Sequence, residues 1–179
     1  RWCQRVRAQL QAERRHAASE ALQTALDDVS VGSLLDFRSA GAGRLATEAL
    51  ATAAVCVVAN VDETVRVSIH SLDPDIPWPE ALRILGRPGH FVGTMRRFPS
   101  AVEAGRVPED NVVAARHYLA FFDSECTGVP HPSTCGLRSW VRNAVEYWEA
   151  LEDSRPVAAA VPSATCPQPM ASGRLCAAP

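Results

Sequence analysis

Cys126, His131 and Cys135 stand in a C-x4-H-x3-C array, with His117 a short way upstream. Thiolate and imidazole are donors that zinc prefers, and four of them converging tetrahedrally would make a metal site. This spacing matches no established zinc signature, and Pro130 and Pro132 interrupt the stretch. No general base stands beside these residues to serve a hydrolytic metal centre. The reading that fits best is a proline-rich polar loop carrying thiols, with no metal and no cofactor. Asp36, Glu48, Asp110 and Glu146 could be nominated for acid–base work, but exposed carboxylates on helices usually act as solvating charge. Cys56, inside "AVCVV", is most simply a small buried hydrophobe.

The cations narrow the chemistry further. All eighteen basic residues are Arg. Without lysine the sequence holds no G-x-x-x-x-G-K phosphate loop and no Schiff-base amine, so a non-enzymatic chain is expected. With 179 residues, 47% of them hydrophobic, it is long enough for one domain with a core plus extensions. A formal net charge of −2 gives no general signal for nucleic acid or membrane. The first residues, "RWCQRVRAQLQAERRH", lack the apolar region of a signal peptide, and an intracellular protein is expected.

The elements that must position these residues all read as helices. Residues 1–37 form one helix, with Cys3, Val6 and Leu10 and then Leu22, Ala25 and Val29 at coiled-coil spacing. "ERRHAAS" breaks the stripe between them, so the reading is either a coiled coil with a local change of register or an exposed amphipathic helix. "RSAGAGR", residues 38–44, is a hinge. A second helix from about Leu45 to Ala59 is apolar nearly all round, as a helix buried in a small bundle would be. "NVDETVRVSIHSLDPDIP" reads as a loop or insertion. Trp78 opens a short helix to Leu85, "GRPG" ends it, and a further helix runs from His90 to Phe98, where Pro99 stops it. "PEDNVVAARHYLAFF" is the next, with acidic residues in its first turn. A long helix then covers residues 137–156. Leu137, Val141, Ala144, Trp148 and Leu151 form its inner stripe, and Trp140 and Tyr147 flank it. Residues 157–179 are rich in Ala, Pro and Ser and are expected to be disordered.

Two long helices bracketing short ones is the plan of a domain on an antiparallel stalk. On four stretches, in order, the sequence resembles the microtubule-binding stalk region of dynein heavy chains. "ALQTALDDVSVGSLLDFRSAGAG" looks like the incoming stalk helix, with Asp36, Phe37, Arg38 and Ser39 at the family's acidic, hydrophobic, basic and Ser positions. "EALATAAVCVVA" is similar to the first domain helix, and "WPEALRILGRPGHFVGTMRRFP" to the segment with a Trp and a Phe beyond a turn. In "LRSWVRNAVEYWEALEDSRP", Leu137, Trp140, Val141, Tyr147 and Pro156 fall in the register of the outgoing helix. The likeness covers about residues 20–156. Departures are also visible. The family usually carries a Pro pair where Gly43 and Arg44 stand, and a Lys near Glu48 and Ala49, for which Arg44 is the substitute cation.

The resemblance implies an all-α small helical bundle at the tip of an antiparallel coiled-coil stalk, with the returning stalk helix truncated. In that division residues 1–37 are the incoming stalk helix, 38–136 the microtubule-binding domain, 137–156 the start of the outgoing helix and 157–179 a tail. It implies tubulin binding as part of an ATP-driven, minus-end-directed motor whose ATPase lies elsewhere. The partners are then microtubules and the rest of the heavy chain, including the returning stalk helix. Tubulin is acidic, so the binding face needs exposed cations. The candidates are Arg44, Arg96, Arg97, Arg138 and Arg142. The location would be cytoplasm and cytoskeleton. The axoneme of a cilium or flagellum is favoured, because "AVCVV" and "LRSWVRNAVEY" look closer to axonemal members. The alternatives in other classes are a coiled-coil scaffold or adaptor pairing through residues 1–37, and a small metalloenzyme on the Cys/His array.

Overall fold

A computed structural model describes residues 2–41, 45–61, 78–126 and 131–154. These residues form an all-α bundle of helices α1 (Trp2–Asp27), α2 (Val31–Gly41), α3 (Leu45–Val58), α4 (Trp78–Leu85), α5 (Pro88–Glu103), α6 (Glu109–Glu125) and α7 (Pro132–Glu152). Residues 62–77 of the insertion expected at 60–77, residues 42–44 of the hinge and the tail at 157–179 lie outside the described residues.

The apolar second helix is the centre of the bundle. In α3 every side chain from Ala49 to Val58 is buried. Ala51, Ala53 and Ala54 on α3 and Ala114 and Ala115 on α6 are all buried, and such small side chains let two helix axes approach closely. The end of α3 is stopped by Asn60, which takes a left-handed φ of 66°, a conformation Asn tolerates better than most residues. The buried Asn111 of α6 reaches across and donates from Nδ2 to the Ala59 carbonyl at 3.0 Å, satisfying a group that the helix end would leave unpaired.

The long pair α1 and α7 lies antiparallel. Gln11 and Arg14 of α1 meet Asp153 just past the end of α7, while Asp28, just past the end of α1, lies against Gly136 in the first turns of α7. A Cβ on Gly136 would come within 3.1 Å of the Asp28 carbonyl oxygen, a contact tight enough that the backbone at Asp28 would have to yield slightly. Leu22, Ala25 and Leu26 of α1, and Val29 just beyond its end, enter the core, whereas Val6 and Leu10 remain exposed. The residues before Gln11 therefore extend about 13 Å beyond the end of α7, at 1.5 Å per residue.

Several boundaries differ from the sequence reading, and α7 ends at Glu152 where the reading ran to residue 156. Residues 1–37 are two helices, broken at 28–30. The cause is a reciprocal cap: Ser30 Oγ accepts from the Ser33 amide at 3.0 Å, and Ser33 Oγ accepts from the Ser30 amide at 2.9 Å. Val29 and Leu34, the flanking positions of a hydrophobic staple, are both buried. α2 then continues through Arg38 and Ser39 into the expected hinge as far as Gly41. The helix expected to stop at Phe98 runs through Pro99 to Glu103, because Phe91, Met95 and Phe98 before the proline and Ala101 and Val102 after it are all buried. Packing on both sides outweighs the single backbone bond that Pro99 forfeits. Its real stop is Gly105 at φ 68°, with Arg106 N–H donating to Ala101 O and Gly105 N–H to Val102 O, both at 2.9 Å, a Schellman arrangement. Lastly, α7 begins at Pro132 rather than at residue 137. Pro132 suits the first turn, and the His131 imidazole accepts from the Ser133 amide.

α7 itself touches α1, α2, α3, α5 and α6, so its buried arc is wider than one stripe. Trp140, expected to flank the stripe, is fully buried, with Phe98 edge-on at 5.9 Å. Trp148 and Leu151 are only half-buried, and the Trp148 Nε1 donates to Val107 O at 3.2 Å.

Candidate functional site

The five arginines nominated from sequence fall on different parts of the molecule. Arg44 lies outside the described residues. Arg96 and Arg97 are exposed on α5, just before the buried Phe98. Helical spacing puts them on the solvent side of a helix whose inner face is fixed by Phe91, Met95 and Phe98. Arg97 Nη2 also donates to Thr94 Oγ1 at 3.1 Å, which orients it along its own helix.

Arg138 and Arg142 come together as their four-residue spacing implies, but they share an anion. Arg138 Nε lies 2.6 Å from Asp123 Oδ1, and Arg142 Nη2 lies 2.9 Å from Asp123 Oδ2. Asp123 sits in the last turn of α6, and α6 and α7 run antiparallel, so the carboxylate projects between two successive turns of α7. Burial alone would push the Asp123 carboxyl up. The hydrogen bond and charge of Arg138, with those of Arg142, outweigh it and hold the carboxyl below its ordinary value. The Arg138 guanidinium is correspondingly raised, chiefly by its hydrogen bond to Asp123. The three side chains carry a net charge of +1, delivered by two guanidiniums that are 35% and 46% exposed and so still meet solvent.

Other polar contacts along α7 tie the bundle rather than present charge. Arg116 of α6 pairs with Glu149. Tyr147 donates its hydroxyl to Glu103 Oε1 at 3.1 Å, and burial, then Glu103, push the phenol up to about 12. Among the nominated carboxylates, Asp36 and Glu146 are exposed on α2 and α7, Asp110 is exposed in the first turn of α6, and Glu48 is half-buried on α3. Among the described residues, no three His, Cys, Asp or Glu side chains converge where they could hold a metal ion. His131 is occupied as the cap of α7, and His117 stacks edge-on with Tyr118 at 5.8 Å. The Cys56 thiol is fully enclosed in α3, and burial pushes it up to about 12, which leaves it inert as a nucleophile.

Asp123 is the residue of this site that the sequence reading missed. Its signal was present: an acid in the last turn of one helix, six linking residues, and two Arg one turn apart in the next.

The chain is 26% identical over 101 residues to the dynein alpha chain of the flagellar outer arm of Chlamydomonas reinhardtii, a stretch that takes in 55% of this chain. This chain thus carries a dynein-related region. It spans 2% of the length of that relative. No protein-family model matches the sequence, and no solved structure gives a significant match. No helix among the described residues is long and apolar enough to cross a membrane.

Proposed function

We propose that this chain binds microtubules as the stalk-tip portion of a dynein heavy chain. The observation that carries the reading is the pairing of a dynein-related sequence with an antiparallel α1–α7 pair. The short helices α2 to α6 lie between the two in the chain and complete the bundle. In this reading α1 and α7 are the two sides of the stalk base. Val6 and Leu10, exposed past the end of α7, are where the returning stalk helix would pack. Arg96 and Arg97 on α5, the Arg138–Arg142 pair on α7 and Arg44 supply the cations for acidic tubulin. The chain lacks any lysine for a Walker site, so it is itself not an ATPase, and hydrolysis belongs to other parts of the motor. The setting would be the cytoskeleton, with the axoneme favoured by the flagellar relative.

Co-sedimentation with taxol-stabilised microtubules at low and high salt tests the proposal. Binding is expected at low salt and is expected to weaken as salt screens the contacts, with the R96A/R97A chain pelleting less than the wild type. No pelleting at low salt refutes it. A scaffold that pairs through α1 is the competing reading, and the exposed Val6 and Leu10 favour it equally. Sedimentation equilibrium of the full chain against one lacking residues 1–10 separates the two. A dimer that dissociates on truncation, with no microtubule binding, supports the scaffold.

A further inference from the structure

Two cysteines that no part of the proposed function uses occupy matched positions on the α6–α7 hairpin. Cys126 caps the C-terminal end of α6 and is half-buried, and Cys135 lies in the first turn of α7 and is exposed. The register of the hairpin is set by Arg116 opposite Glu149 and by Asp123 opposite Arg138 and Arg142. One turn beyond Asp123 along α6 is Cys126, and one turn before Arg138 along α7 is Cys135. Residues three apart share a helix face, so the two faces joined by the Asp123–Arg138 contact carry the two thiols toward the same end of the hairpin, at one level. Both thiols lie in the neighbourhood of Arg138. A disulfide requires Cα atoms within about 7 Å and Cβ atoms directed at each other, the condition that the test below reads.

We propose that Cys126 and Cys135 form a reversible dithiol–disulfide modification site that takes low-molecular-weight disulfides of the glutathione type. The thiolate of exposed Cys135 attacks one sulfur of the small disulfide, forming a mixed disulfide and releasing one small thiolate. The thiolate of Cys126 then attacks the Cys135 sulfur and displaces the second. The protein dithiol is oxidised by two electrons, the small disulfide is reduced to two thiols, and the two thiol protons go to those products. The product staples the end of α6 to the start of α7, one turn from the Asp123–Arg138–Arg142 cluster. A metal in place of the disulfide is disfavoured, since no third ligand converges among the described residues.

The test uses the full chain and oxidised glutathione, followed by alkylation and tryptic digestion. Cleavage after Arg116 and Arg138 yields one peptide, residues 117–138, that holds both cysteines and no other. After treatment this peptide is expected to be two hydrogens lighter and closed to iodoacetamide. It should form on the order of tenfold faster in the folded chain than in the urea-unfolded one, because folding raises the effective concentration of one thiol at the other. In C126S, Cys135 should retain glutathione as a stable adduct. Equal rates in the folded and unfolded chains, or a glutathione adduct that persists on the wild-type peptide, overturn the proposal.

Discussion

Replacing Asp123 with Asn separates what the Arg cluster does for the fold from what it does for a partner. The carboxylate is 31% exposed and its arginines 35% and 46%, so each pair belongs to the partly solvated class worth up to about 1 kcal/mol. Asn keeps the shape and can still accept a hydrogen bond, so the loss in stability should be about 1 kcal/mol, a fall in Tm of roughly 2–4 °C for a chain of this size. The effect should depend on pH in a defined direction. The carboxyl lies below its ordinary value when folded, so its contribution is present above about pH 4, the unfolded value, and disappears as pH falls through the lower folded value. The Tm difference between wild type and D123N should therefore close on acidification. The consequence for binding has the opposite sign. The cluster goes from a net charge of +1 to +2, and one unit charge at about 4 Å in water is worth about 1 kcal/mol. Microtubule affinity at low salt should then rise about fivefold, with steeper salt dependence. Thermal unfolding by circular dichroism and co-sedimentation read the two effects on the same sample. A wild-type Tm at neutral pH would show that Asp123 does not hold the α6–α7 hairpin. Unchanged binding would show that Arg138 and Arg142 do not face the filament.

Three further substitutions test the fold itself. N111D places a carboxylate against the Ala59 carbonyl, two acceptors in a buried site, and should cost roughly 3 kcal/mol at neutral pH in urea unfolding. Burial raises the introduced carboxyl, so the loss should shrink at acidic pH as the protonated form becomes a donor; a pH-independent loss refutes the hydrogen bond as its cause. S30A removes the cap acceptor of α2 and should lower stability by about 1 kcal/mol, with the S30A/S33A double variant losing less than the sum of the singles, since each hydroxyl serves the other residue's amide. P99A restores a backbone donor inside α5. A helix-interior proline costs about 3 kcal/mol, of which roughly 1 is offset by the freer unfolded chain, so a gain of about 2 kcal/mol is expected, and a lower Tm would mean that the proline ring packs in a way Ala cannot replace.

The helices best read from sequence were those whose signals are local and agree with one another. α3 is apolar nearly all round, and from Ala49 to Val58 it proved buried at every position. α6 combines Pro108, two acids in its first turn and an inner stripe, and its start was read correctly. The misreadings arose where one strong local rule was given too much weight. Pro99 was allowed to end a helix that seven buried side chains carry through, although Gly105 already marked the true stop. The break after Asp27 was written in "VSVGSL", a capping box in which Ser33 takes the place usually held by Glu or Gln. His131, read from sequence as part of a polar loop, is instead the cap of α7, because its imidazole reaches an unpaired amide two residues on.

By itself the sequence determined that the chain is helical, that α3 lies at its centre, that no lysine chemistry operates, and that Arg138 and Arg142 share a face. These follow from composition, periodicity and spacing, all properties of neighbouring residues. The tertiary structure alone decided that Asp123 would sit between those two arginines, that Trp140 rather than Trp148 would be fully enclosed, and that Asn111 would close the end of α3. Each joins residues that lie far apart in the chain or depends on how many neighbours surround a helix. Such contacts are set by the register in which helices dock, and register is fixed by the packing of the whole core.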